Sequence, residues 1–382
     1  MRERLKTAAV AVLFVSLLAL TLLNVMYDRA GGDFYTGSGT PLLTLTVSEP
    51  ARPALAAVVT GGEMFAAGNG NAGAGVLYDR FRILIGEALA SAAGTREITR
   101  AAWGAVMEED CVFFEFSDAV PAWALADGIS VEASRFAENL SVKGMILSGG
   151  GLFINTGEDY FRCDVFIEFA MPEQVESQLS AARFINGVIV TGDEYYEAVL
   201  TDRYREEPYL SEILTAMGFN PNTNYRYVQA DGDIVFVDGQ RTLHAGASGM
   251  ITYRDGGVYA AAAADEREAL RLCLGSLPSG AAFWGDGSLN LSGIETLDGV
   301  VSVEFEYALN GAAFIGRRTA FTVKGSRIVE ADIWLCPAAL SETAADLLPR
   351  RQAALLLNEG AGLELRYAEG EDGVWRPGWY GR

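Results

Sequence analysis

From Thr7 to Tyr27 the chain reads TAAVAVLFVSLLALTLLNVMY, an apolar run without a single charge. About 20 helical residues at 1.5 Å each span roughly 30 Å, the thickness of a bilayer core. Arg2, Arg4 and Lys6 precede the run, and Asp28, Arg29 and Asp33 follow it. The excess of basic residues on the N-terminal side predicts a cytoplasmic tip of residues 1–6, a transmembrane helix over 7–27 and an extracytoplasmic remainder at the cell membrane. The alternative is a cleaved secretory signal, whose apolar region is shorter and ends at small residues. Here the run ends in Asn24-Val25-Met26-Tyr27, bulky where a peptidase needs small side chains, which favours a retained anchor.

The rest of the chain is acidic. Across 382 residues Lys+Arg is 29 and Asp+Glu is 50, a formal net charge of −21. Such a body repels phosphate backbones and anionic head groups, which argues against nucleic-acid binding and leaves membrane attachment to the apolar run. Four cysteines, Cys111, Cys163, Cys273 and Cys336, are far apart, with no CxxC pair and no metal-ligand spacing. Three sit in apolar strand-like runs and Cys273 on an apolar helical stripe. That pattern reads as buried thiols, with an export-side disulfide as the alternative.

A Gly/Ser-type linker over residues 28–41 is followed by an N-terminal α+β domain over 42–200. Strand-like runs fall at Leu42–Val47, Ala54–Thr60, Cys111–Phe116, Lys143–Leu147, Leu152–Asn155 and Cys163–Phe169, and a loop is predicted over Gly61–Gly75. Phe81, Leu84, Ile85, Ala88, Leu89 and Ala92 make one helical stripe, and Thr95 is the candidate cap of a shorter helix through Trp103. Two further domains, 201–258 and 259–382, look like repeats of one unit. In the first, the stripe Leu210, Ile213, Leu214, Met217 precedes four strands up to Tyr253, punctuated by Asp231-Gly232, Asp238-Gly239 and Asp255-Gly256. In the second, the stripe Leu270, Cys273, Leu274, Leu277 precedes strands at Val300–Ala308, Thr319–Lys324 and Arg327–Leu335. A last helix through Ala353, Leu356 and Leu357 leads to strands at Leu363–Tyr367 and Val374–Arg376. The fold class is therefore α+β: a transmembrane helix, then helices packed on curved antiparallel sheets, with a repeated helix-plus-β-meander unit in the C-terminal half. Such units bury one sheet face and leave the other face and the edges for partners.

Catalytic patterns are thin. Gly68-Asn69-Gly70-Asn71-Ala72-Gly73 matches GxGxxG, but the expected preceding strand ends at Thr60, too early for a dinucleotide-binding turn. His244 is the only histidine, so a Ser–His–Asp hydrolase would have to use it with Asp238 or Asp255. It lies in an alternating strand, and no GxSxG elbow is present. Carboxylate pairs such as Glu108/Glu109 and Asp193/Glu195 are not set among clustered tryptophans, as a sugar cleft requires. No calcium loop of the D-x-[DN]-x-[DN]-G type occurs. A non-enzymatic protein without catalytic, metal or cofactor residues is expected.

The run Met217 to His244 (MGFNPNTNYRYVQADGDIVFVDGQRTLH), followed by Gly249-Met250-Ile251-Thr252-Tyr253-Arg254-Asp255-Gly256, resembles the YycH family. The matching positions are Asp231, Gly232, Asp238, Gly239, Arg241, Leu243, Gly249, Ile251 and Tyr253. Val303–Gly311 is similar to a repeat of that family and its relative YycI, and Trp375-Arg376-Pro377-Gly378-Trp379 to their terminal strand. The resemblance covers the C-terminal half and the position of the anchor. It implies a Gram-positive accessory regulator that binds the sensor histidine kinase of a two-component system, alongside a YycI-like protein, through transmembrane helix contacts. In the anchor, Ala11, Ser16, Ala19 and Thr21 allow close helix approach, and Asn24 offers an interhelical hydrogen bond. The candidate interaction residues are Ser16, Ala19, Thr21 and Asn24; an extracytoplasmic binding or assembly module for cell-envelope components is the alternative function.

Overall fold

The computed structural model describes residues 51–67, 72–129, 131–167, 169, 179–185, 188–190, 196–200, 205–206, 209–220, 224–246, 248–257, 265–278, 284–285, 287–309, 312–335, 337–345, 347 and 363–381. The transmembrane helix expected over 7–27, the linker expected over 28–41, the run Leu42–Val47, Gly68–Asn71, Asp193/Glu195, Cys336 and the helix expected at Ala353–Leu357 lie outside them. Among the described residues no helix is long and apolar enough to cross a membrane.

The architecture is mixed α+β, with two large sheets and five helices among the described residues. Strands β1 (Pro53–Thr60), β2 (Glu63–Ala67), β3 (Thr95–Ile98), β4 (Cys111–Pro121), β5 (Ser141–Ser148), β6 (Gly151–Asn155), β7 (Tyr160–Cys163), β8 (Ser180–Ile185) and β9 (Val188–Val190) build the first sheet. Its order is β3-β7-β6-β5-β4-β1-β2-β8-β9. Helices α1 (Ala72–Ser91), α2 (Arg100–Val106) and α3 (Ala122–Gly128) accompany it.

Alternation along β1 and β4 divides the core between two faces. Ala56, Val58, Val112, Phe114 and Phe116 pack beneath α1, whose Leu77, Phe81, Ile85 and Leu89 form the buried stripe. Ala57, Val59, Cys111 and Phe113 face the other way, onto Trp103 of α2. Cys111 and Cys163 thus lie on opposite faces, and with Cys273 they are free and buried. Burial pushes the thiols of Cys111 and Cys163 up to about 12, and nearby carboxylates (Asp110 and Glu109, Asp164) push in the same direction.

Three local expectations are corrected. The loop over Gly61–Gly75 is instead a tight hairpin followed by a helix. Gly61 and Gly62 have φ of 58° and 82°, the two left-handed positions a two-residue turn needs, so Glu63 already begins the return strand β2. Thr95 is not a helix cap. It opens β3, paired with Cys163, and Thr99 caps α2 by accepting from the Ala102 N–H at 3.1 Å. The strand expected over Cys163–Phe169 ends at Cys163, because β7 pairs through Tyr160–Cys163 and the chain then leaves the sheet.

The second sheet holds β10 (Tyr196–Leu200), β11 (Tyr225–Val228), β12 (Ile234–Asp238), β13 (Arg241–Ala245), β14 (Met250–Asp255), β15 (Gly287–Leu297), β16 (Val300–Leu309), β17 (Ala312–Lys324), β18 (Arg327–Trp334), β19 (Ala338–Ala344), β20 (Leu363–Glu369) and β21 (Trp375–Gly381). Meander β11–β14 joins meander β15–β18 through the antiparallel pair β14–β18. All pairs are antiparallel except β17–β20. Helices α4 (Tyr209–Ala216) and α5 (Glu266–Gly275) bury Leu210, Ile213 and Leu214, and Ala269, Leu270 and Cys273. The sheet's centre is aromatic. Phe314 stacks on Tyr367 at 4.8 Å, Tyr307 meets Trp334 edge-on at 4.9 Å, and the Arg317 guanidinium lies 5.3 and 5.2 Å over Trp334 and Trp375. The Tyr307 hydroxyl donates to the Trp284 carbonyl at 2.5 Å and accepts from the Ala338 N–H at 3.0 Å. Gly287 is required beneath that ring, since any Cβ would collide with it.

Candidate functional site

Pairing register assigns every residue of β11–β14 and β18 to a face. Phe236, Leu243, Tyr253 and Ala331 fall in one cross-strand row, and Ile234, Ala245, Ile251 and Ile333 in another, all buried. This face lies under the helical layer: Phe219, just past α4, meets Tyr253 edge-on at 6.1 Å, and the Arg241 guanidinium lies 5.1 Å over Phe219. The opposite face carries Thr242, His244, Thr252, Arg254, Glu330 and Asp332, all half-exposed. Arg254 spans its neighbours there, 2.7 Å from Glu330 and 3.1 Å from Asp332. One sheet face is apolar and covered. The other is polar and half-exposed at these positions, while Val235 and Trp334 on the same face are fully buried.

The strand at the end of this sheet departs from that pattern. β11 pairs only with β12 among the described residues, and all four of its side chains are exposed: Tyr225 is 68% exposed, Val228 62% and Tyr227 40%. The Tyr225 and Tyr227 rings are 5.8 Å apart on the same side of the strand. The Gln229 N–H donates to the Asp233 carbonyl at 2.8 Å, closing the loop into β12. Antiparallel pairs alternate between bonded and non-bonded, so the next pair, Val228–Ile234, is non-bonded. The N–H and C=O of Val228 therefore point away from β12.

The other end of the sheet is covered. β15 pairs only with β16 among the described residues, and β4 of the first sheet lies against it. The Arg52 N–H donates to the buried Asn290 side chain at 3.1 Å. Beside it, buried Glu306 sits 3.3 Å from Arg318 and 3.6 Å from Arg366, which also reaches Glu364 at 2.8 Å. Burial raises the Glu306 carboxyl; Arg366 and Arg318 pull it down, and Asp118 of β4 and Glu364 push it further up. A second seam joins α3 to α5. Asp127 lies 2.8 Å from Arg271 and 3.7 Å from Arg267, whose guanidinium sits 5.5 Å over Trp123.

A cleft of about 500 Å³ opens between the end of α4, α5 and the adjacent hairpin turns. Its floor is Met217, Tyr253, Leu272 and Ile328, and Asp238, Arg241, Asp255 and Arg327 ring it. Arg241 is held there by Asp238 and by the Gly218 carbonyl.

The residues singled out from sequence are not brought together as chemistry. His244 stands half-exposed on the polar face, between Val235 and Thr252, while Asp238 and Asp255 border the cleft under the helices. Asp238 bonds Arg241 and Asp255 accepts from the Gly257 N–H, so neither orients the imidazole. The GxGxxG segment does follow a strand directly, since β2 ends at Ala67 and α1 begins at Ala72. That corrects the spacing argument, yet β2 lies antiparallel between β1 and β8, whereas a dinucleotide fold needs parallel βαβ pairing. No cluster of metal-ligating side chains occurs among the described residues. Ser16, Ala19, Thr21 and Asn24 lie outside the described residues.

No protein-family profile and no curated protein matches the chain. Among solved structures it is similar to YycH from Bacillus subtilis, with a TM-score of 0.55 at 11% identity, over 88% of this chain and 94% of that one. The chain has a YycH-like fold.

Proposed function

We propose that this chain is a membrane-anchored, non-enzymatic accessory regulator of a two-component sensor histidine kinase, held outside the cytoplasm and acting by protein–protein contact. The observation that carries the reading is the YycH-like fold, which extends over nearly the whole of both chains. It joins the family motifs at Asp231–Tyr253 to an apolar run, Thr7–Tyr27, long enough to cross a bilayer. The kinase and a YycI-like protein are the partners this reading assigns, with Ser16, Ala19, Thr21 and Asn24 on the helix that meets them.

The test replaces Thr7–Tyr27 with an unrelated spanning helix and follows kinase co-purification and target-gene output. The reading expects both to fall while the body stays folded and exported. Unchanged association and output would remove helix-mediated regulation. A second reading, an extracytoplasmic binding module for envelope components, draws on the mixed-charge cleft beside α5. Arg327→Glu in that cleft, with association to purified envelope polymers as the readout, separates the two: only the binding module loses its activity.

A further inference from the structure

We infer that β11 is a docking edge, to which an extended, strand-forming segment of a partner protein adds as one more strand of the second sheet. The inference gives the proposed regulator a contact surface in its folded body, and it holds whether or not the partner is a kinase.

Soluble proteins blunt exposed strand edges with charges, prolines, bulges or covering elements. The other ends of this sheet follow that rule. β15 is covered by β4 and broken by a bulge between Leu291 and Gly293, and β19 carries the polar run Ser341, Glu342 and Thr343 before its last residue. β11 does neither. It presents Tyr225, Tyr227 and Val228 to solvent and turns the backbone groups of Val228 outward. An added strand supplies the two things this edge lacks, hydrogen-bond partners and apolar cover on alternate sides. Charge selects among occupants. A chain of net charge −21 repels a second copy of itself and any acidic segment, which favours a segment that is neutral or basic. The occupant is therefore a segment of a different protein, apolar at alternate positions and without net negative charge.

The test uses the full chain in the membrane of living cells, with the photo-cross-linker p-benzoylphenylalanine at position 225 or 227. Both probes are expected to give adducts with a protein other than this chain. Mass spectrometry should map the residues reached from 225 and 227 within one extended stretch, two positions apart. Val228→Pro removes the outward N–H without touching the bonds to β12, and should lower adduct yield about tenfold, whereas Val228→Ala should not. If Val228→Pro fails to fold, Tyr227→Gly with the probe at 225 is expected to give the same loss by removing the ring. No adduct, an adduct with a second copy, a glycan or a lipid, or a yield unchanged by these substitutions would overturn the docking edge. An ordered adduct with a protein that is not a histidine kinase keeps the edge and removes the kinase from the proposed function.

Discussion

β15 and β11 terminate the same antiparallel sheet in opposite ways. At β15 the N-terminal module closes the edge: β4 lies alongside, Arg52 binds Asn290, and Glu306 is enclosed with Arg318 and Arg366. At β11 nothing among the described residues covers two tyrosines and a valine. The first edge is bound into the fold, and the second is available to something outside it. An edge needed only for stability would be expected to look like β15, so substitutions at the two ends should differ in kind as well as in size.

The largest difference should come from side-chain truncation. Leu291 on β15 is 1% exposed beneath the helical layer, so Leu291→Ala should cost about 3 kcal/mol through lost transfer energy and the cavity left behind. Val228→Ala on β11 should stay within about 0.5 kcal/mol, because that side chain is already in water. Urea unfolding of the two variants measures both. Equal losses would mean that β11 is as much a part of the core as β15. A step smaller is Asp127→Ala, which removes the carboxylate shared by Arg267 and Arg271 at the α3–α5 seam. Exposed or half-exposed ion pairs of this kind contribute about 1 kcal/mol, so a loss of that order, diminishing in high salt, is expected.

The asymmetry of the two edges was only partly legible in the sequence. Period-3.6 stripes at Phe81–Ala92, Leu210–Met217 and Leu270–Leu277 identify helices that the fold contains, since a one-sided apolar stripe has only the sheet to pack on. The Asp-Gly turns at 231–232 and 238–239 mark the β11–β13 hairpins for the same local reason. β15 went unread, although Asp298-Gly299, both at positive φ, carries the same hairpin signal ahead of Val300. Its run Gly287–Leu297 mixes Ser, Asn, Gly and Glu with Leu and Ile, because one side of the strand meets the polar seam to β4. Local spacing favours Thr95 over Thr99 as the cap, because the pairing of Thr95–Ile98 with β7 is a long-range contact that spacing does not carry. Which edge would be covered could not be read at all. That depends on how the first sheet docks, through Arg52, Asp127 and Glu306, and none of these residues has a sequence signature.

Protonation offers a finer probe of the covered edge. Glu306 is raised from its ordinary value of 4.5, chiefly by burial, so between 4.5 and its raised value the folded chain binds more protons than the unfolded one. Its contribution to stability is full below about 4.5 and is lost as pH rises through the raised value. Glu306→Gln should flatten this part of the stability–pH curve, measured by urea unfolding from pH 4 to 8. A parallel curve for the variant would separate Glu306 from the linkage. At the β20–β21 turn the sign reverses. Asp372, hydrogen-bonded by Arg376, is lowered to about 2, so its contribution holds above 3.8 and is lost as pH falls toward 2.

The smallest expected change is the most telling for β11. Proline within a paired strand removes a ladder hydrogen bond and is tolerated only where the N–H faces away from the neighbouring strand. The Gln229–Asp233 bond sets the alternation that turns the Val228 N–H outward, so Val228→Pro should change stability by no more than about 0.5 kcal/mol. At Val235, in the adjacent strand and fully buried, the same alternation turns the N–H onto Tyr227 of β11, so the same substitution should cost about 3 kcal/mol or more. If Val228→Pro were as damaging as Val235→Pro in the purified protein, the Val228 N–H would already be bonded within the chain. The edge would then be closed, and the contrast with β15 would reduce to a difference in which part of the same molecule does the covering.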